Sequence, residues 1–137
     1  MEALSAAWAK EWKKRLDASQ AFKAAAGGWS GSLLFVMRAD GNGLDRDRAV
    51  FLAIDNGRCR TARTARTGDL EECDLLLSAS AETWRRVLQG SGDPVLAILS
   101  GQIRFERGRW STLVPYAEAA RELLRTAAAI DASFPHP

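Results

Sequence analysis

The stretch CDLLLSASAETWRRVLQGSGDPVLAILSGQIRF, residues 73–105, decides the fold. It opens on alternation: Cys73, Leu75 and Leu77 against Asp74, Leu76 and Ser78, the period of a strand over residues 72–79. Ser80 follows where an N-cap belongs, with Glu82 in the first turn, where the positive end of a helix dipole favours an acid. Trp84, Val87 and Leu88 fall at i, i+3 and i+4, one side of a helix, and Gly90 stops it. Asp93-Pro94 restarts a helix with a capping acid and a first-turn proline. Val95, Leu96, Ile98 and Leu99 fill that short helix and Gly101 ends it. Residues 102–107 return to a two-residue period, with Ile103 and Phe105 on one face.

Working outward, residues 31–39 are a strand whose two faces are both apolar: Leu33, Phe35 and Met37 on one, Leu34 and Val36 on the other. Such a strand is covered on both sides. Residues 40–47 are a polar, Gly-rich turn; its GNG is not a phosphate loop, because no helix signal follows. Residues 48–55 make a second strand, with Val50, Leu52 and Ile54 on one face. Asn56-Gly57 predicts a two-residue hairpin, since a type I′ turn needs positive φ at both positions. Residues 58–66 pair back as a third strand. Residues 2–26 read as one amphipathic helix, with Leu4, Trp8, Trp12, Leu16 and Phe22 on its stripe and a break near Ser19. That stripe packs on a sheet or on a partner. A last helix runs from Pro115 to about residue 129, with Tyr116, Ala119, Ala120, Leu123 and Ala127 along one side.

The order α-βββ-β-αα-β-α predicts an α+β layer fold, a mostly antiparallel five-stranded sheet covered by helices. At 137 residues it is one domain: an N-terminal helix over 1–28, sheet and helices over 29–129, and a loose tail over 130–137. The 47% hydrophobic and 26% charged content suits a folded core and excludes whole-chain disorder. The formal charge is only +2, from 19 Lys+Arg and 17 Asp+Glu, which gives no footprint for nucleic acid. No apolar run approaches the roughly 20 residues of a membrane span, and no signal peptide opens the chain. The expected location is cytoplasmic. The single histidine, His136, argues against Ser-His-Asp, Cys-His and multi-histidine metal centres. Cys59 and Cys73 lack metal or redox spacing and read as buried free thiols. No catalytic motif, metal set or cofactor fingerprint is present.

The segment from Asp74 to Phe105, with its aromatic helix residue Trp84, Gly90, Asp93-Pro94, Ser100-Gly101 and alternating Ile103-Arg104-Phe105, resembles the sterol carrier protein type 2 (SCP2) family. The upstream strands over Leu33–Ala39 and Arg48–Thr64 are similar to that family's opening meander, and the likeness spans about residues 29–125. It implies a five-stranded sheet with helices on one side. It also implies an apolar tunnel between them that takes sterols, fatty acids, fatty acyl-CoA or phospholipids. The chain ends Phe134-Pro-His-Pro rather than in a Ser-Lys-Leu signal, so peroxisomal targeting is not expected. Trp110 puts a large ring near the expected mouth of the tunnel.

On that resemblance the cavity wall would comprise Phe35, Met37, Leu75, Leu77, Trp84, Leu88, Leu96, Leu99, Ile103 and Phe105. The two short helices over 81–89 and 94–100 could part to admit a chain-like ligand. The same residues would serve equally as plain core. Arg58, Arg60, Arg63 and Arg66 cluster without an intervening acid, and Arg58 and Arg60 share a strand face. They read first as charges guarding an edge strand, and second as contacts for an anionic headgroup. The expected partner is a hydrophobic small molecule or lipid, with no cofactor and no more than transient contact with a membrane surface. Two other readings stand beside the carrier. One is an interaction module with a collapsed cavity, docking a partner or a second copy through the helix with Trp8 and Trp12 or through the C-terminal Ala-rich helix. The other is a small enzyme acting on a hydrophobic metabolite and using Asp74, the acid set among leucines.

Overall fold

The computed structural model describes residues 1–39, 43–90 and 93–135, so Gly41 and Asn42 of the GNG turn and His136 lie outside the described residues. Helices α1 (Ala6–Ala18) and α2 (Gln20–Ala25) lead into β1 (Gly31–Arg38), β2 (Arg48–Asp55) and β3 (Arg58–Thr64). After α3 (Asp69–Glu72) come β4 (Leu75–Ser80), α4 (Ala81–Leu88), α5 (Pro94–Leu99) and β5 (Arg104–Arg107). The chain closes with α6 (Trp110–Leu113), a 3-10 turn (Val114–Tyr116) and α7 (Ala117–Ala128). The strands form one sheet in the order β3-β2-β1-β4-β5. Only the β1–β4 pair is parallel; the others are antiparallel.

Register aligns the apolar faces. Leu33 stands between Leu52 and Leu75, and Phe35 between Val50 and Leu77. That face carries the main core, closed by Trp8, Trp12 and Leu16 of α1, Trp84 of α4 and Leu123 of α7. The opposite face holds a second cluster of Leu34, Val36, Cys73 and Leu76. Arginines roof it where helices do not. The Arg63 guanidinium lies 4.3 Å from the centre of the Phe51 ring, Arg38 donates to Ser78 Oγ at 2.8 Å, and Arg107 Nε donates to the Cys73 carbonyl at 2.6 Å. Both faces of β1 are thus covered, by different means.

Local signals explain most boundaries. Ser80 Oγ accepts from Thr83 N–H at 3.1 Å and starts α4, and Asp93 Oδ1 accepts from Val95 N–H at 2.9 Å and starts α5. Asn56 and Gly57 have φ of 49° and 80°, the signs the hairpin requires. The first helix, read as one with a break near Ser19, is two helices divided at that residue. Ser19 leaves the helical conformation, with ψ of 106°, and its Oγ accepts from Phe22 N–H at 3.0 Å. The new cap redirects the chain so that Phe22 is fully buried. Residues 69–72, between β3 and β4, form α3 behind Gly68, a helix too short to show a period in the sequence. The tail expected to be loose is pinned as far as Ser133, which exchanges backbone hydrogen bonds of 2.9 Å with Met1 and Ala3, over a buried Ile130. Among the described residues no helix is long and apolar enough to cross a membrane.

An ion pair ties α3 to the edge of the sheet. Arg63 donates to both oxygens of Asp69, at 2.8 and 3.2 Å, and Arg66 N–H adds 2.6 Å to the same carboxylate. The Arg63 hydrogen bonds hold the Asp69 carboxyl below its ordinary pKa, against the opposing effect of burial. A depressed carboxyl pKa stabilises the fold above the unfolded value and is lost as pH falls through the folded value. Asp69→Asn should therefore be less stable than the parent near neutral pH by about 1–3 kcal/mol. The gap should close progressively below about pH 4, the range of an ordinary Asp. Urea unfolding across that range checks it; a gap that does not change with pH would exclude the carboxylate as the source.

Candidate functional site

Beneath α4, α5 and α7, the helix-facing side of β1 and β4 leaves a void of about 20 Å³. Phe35, Leu77, Trp84 and Ile103, four of the ten residues named above for a cavity wall, border it. Trp29, Leu33, Ile98, Leu113, Ala120, Leu123 and Leu124 complete the lining, which is apolar throughout. Leu33 shares the strand face of Phe35, and Ala120 and Leu123 lie on the stripe of the last helix, so their positions were readable. Trp29 sits in a connection without periodicity, and only tertiary structure reveals it. Its ring stacks on Tyr116, with centroids 5.3 Å apart and an 11° interplanar angle. Trp84 is fixed by its indole N–H, which donates to the Val36 carbonyl at 2.8 Å, and by an edge contact with Phe35.

The other expected wall residues divide. Met37, Leu75 and Leu88 are buried in the same core without bordering the void. Phe105 is half-buried and meets the Trp110 ring edge-on, with centroids 6.2 Å apart. Leu96 and Leu99 are corrections: they are 62% and 61% exposed. The six-residue α5 turns Val95 and Ala97 inward and Ile98 partly so, which sends positions 96 and 99, one turn apart, to solvent. An all-apolar short helix has no polar face to reveal this in advance.

The void has room for about one water molecule, whereas pockets for small ligands run to about 300–1,000 Å³. A lipid therefore needs the helices to part. Among the three covering helices, α5 is the most lightly secured. It packs chiefly on α7, and its cap Asp93 faces Arg121 at 3.6 Å.

No protein-family model matches the chain, and no curated protein does. Solved structures do. A crystal structure of sterol carrier protein 2 superposes with a TM-score of 0.87 and 34% identity, covering 95% of this chain and all of that one. This chain belongs to the sterol carrier protein 2 family. The solution structure of a conserved hypothetical protein from Thermus thermophilus gives 0.85 and 34%, over 97% of this chain and 92% of that one. Sterol carrier protein domain 2 of Helicoverpa armigera, at 18% identity and a TM-score of 0.55 over 93% and 89%, shares the fold.

Within this SCP2 fold the polar candidates have structural work. Asp74, the acid set among leucines, sits just ahead of β4. Its Oδ2 accepts from Ser32 N–H at 2.8 Å and Ser32 Oγ–H at 3.2 Å, which locks the start of β4 to β1. Burial pushes the Cys59 thiol up to about 11 and raises that of Cys73, so both stay protonated. They lie in the clusters on opposite faces of the sheet and are free. Trp8 and Trp12 are 2% and 0% exposed, so they cannot dock a partner. Arg58 and Arg60 are exposed on the edge strand β3 and do not border the apolar void.

Proposed function

We propose that this SCP2 family member is a cytoplasmic carrier or sequestering protein for a hydrophobic ligand, of the lipid, fatty acid, fatty acyl-CoA or sterol type. The ligand would lie between the sheet and α4, α5 and α7. The observation that carries this reading is the wholly apolar void, lined by Phe35, Leu77 and Trp84 under a lightly secured helix. The ligand widens the void by displacing α5, and each buried CH₂ contributes about 0.8 kcal/mol toward the cost of opening.

Delipidated protein should gain the mass of palmitate in native mass spectrometry, and its fluorescence should change because Trp29 and Trp84 border the site. Ile98→Trp overfills the void from the α5 side and should weaken palmitate binding about tenfold or more, the effect of losing roughly two buried CH₂ groups. Neither added mass nor a fluorescence change on the parent protein would end the carrier reading.

A further inference from the structure

A second concavity lies at the other end of the helical layer. Its volume is about 500 Å³, and Lys13, Leu16 and Asp17 of α1, Lys23 of α2, Gly57 of the hairpin turn and Arg58, Cys59 and Arg60 of β3 line it. It shares no lining residue with the apolar void. We propose that this cleft is a separate binding site for a phosphate-bearing polyanion.

Four cations border the cleft against the single carboxylate of Asp17. Asp17 is engaged with Lys13 Nζ at 2.8 Å, and Asp55 stands 3.8 Å from Arg60 at the rim. Lys23 and Arg58 have no carboxylate partner among the described residues. The need to guard an exposed strand edge accounts for Arg58 and Arg60 but not for the lysines that two helices bring to the same hollow. Cys59 is buried in the main core, while Arg58 and Arg60 on either side of it are exposed. Because β3 is the edge strand, no further strand stands between them and the cleft.

The arrangement is anchored. Gly57 N–H donates to the Trp29 carbonyl at 2.8 Å, and Asn56 N–H to Ser30 Oγ at 2.9 Å. A Cβ on Gly57 would come within 2.8 Å of the Ala26 carbonyl oxygen, at a φ of +80° that other residues resist. This close seat of the turn against the end of α2 brings Arg58 into one hollow with Lys23. A monocarboxylate needs one or two cations. Four, two of them without a carboxylate partner among the described residues, suit a ligand carrying several negative oxygens. Leu16, Gly57 and Cys59 complete the lining, and the charged groups around them are what a phosphate group would meet.

The test is an NMR titration of the intact protein with inorganic pyrophosphate at constant ionic strength. Saturable shifts should centre on the amides of Lys23, Gly57 and Arg58. The double variant Lys23→Gln/Arg58→Gln should bind about tenfold more weakly, the loss of roughly one charge-assisted hydrogen bond. Arg85→Gln/Arg125→Gln, an equal charge change on helical positions elsewhere, should bind like the parent. Phosphatidylcholine vesicles with and without phosphatidic acid form the second arm. Displacement of pyrophosphate only by the acidic vesicles assigns the phosphate to a lipid headgroup, and no displacement assigns it to a soluble ligand; either agrees with the site. Shifts that do not saturate, or an equal loss in both double variants, would overturn it. Palmitate binding by the cleft variant should stay at the parent level, so this proposal and the carrier reading fail independently.

Discussion

Trp12→Ala should cost about 4 kcal/mol of stability, the usual range for removing a fully buried large aromatic. At about 3 °C per kcal/mol for a domain of this size, the melting temperature should fall by roughly 12 °C. Trp12 is 0% exposed and joins three layers of the molecule. Its ring lies 4.9 Å from that of Trp8 and meets Phe35 on the sheet edge-on at 5.3 Å. Its indole N–H is shared between the Leu123 carbonyl and Thr126 Oγ1 on α7, each at 3.1 Å. Alanine there empties the junction and leaves α1 without its hold on α7. Trp12→Phe keeps most of the apolar contact and loses only the shared donor, so a smaller loss of about 1–2 kcal/mol is expected. Urea unfolding followed by circular dichroism measures both. The melting temperature of each variant should not depend on protein concentration, because Trp12 acts within one molecule. A concentration-dependent melt restored to the parent value at high concentration would return Trp12 to an intersubunit role.

The same residue marks how far the sequence could be read. Its place on the stripe with Trp8 and Leu16 was plain from spacing, and so was the helix that carries it. Whether that stripe met the sheet or another molecule was not, because periodicity identifies an apolar face without naming what covers it. The strands and hairpin were legible because alternation, Asn56-Gly57 and the caps at Ser80 and Asp93 are local signals. The site was legible in part for the same reason. Phe35, Leu77 and Ile103 follow from strand alternation, and Trp84 from helical spacing. Leu96 and Leu99 were misplaced because a helix whose residues are nearly all apolar gives no hydrophobic direction. Trp29 was missed because a connection has no period. The cationic cleft was half visible: Arg58 and Arg60 stand together in the chain, while Lys13 reaches them through the packing of α1 on β3 and Lys23 through the turn at Ser19 and the seat of Gly57.

Leu77→Ala separates a ligand site from plain core, which sequence could not do. Leu77 is 4% exposed, stands opposite Phe35 and Phe105 in the sheet register, and borders the void. Its truncation should cost about 3 kcal/mol and enlarge the void. Leu34→Ala is the matched control: Leu34 is 0% exposed but lies in the cluster on the opposite face. Both variants should be destabilised to a similar degree in the absence of ligand. A ligand that binds only the folded state adds RT ln(1 + [L]/Kd), about 2.7 kcal/mol at a hundredfold excess over Kd. If palmitate lodges against Leu77, the enlarged void requires less displacement of α5, so Kd falls in Leu77→Ala. Palmitate should then restore most of the lost stability to that variant, and should give Leu34→Ala no more than it gives the parent protein. Thermal melts at one fixed palmitate concentration read the difference directly. Equal rises in both variants would place the ligand away from the void, and a rise in neither would leave Leu77 as core alone.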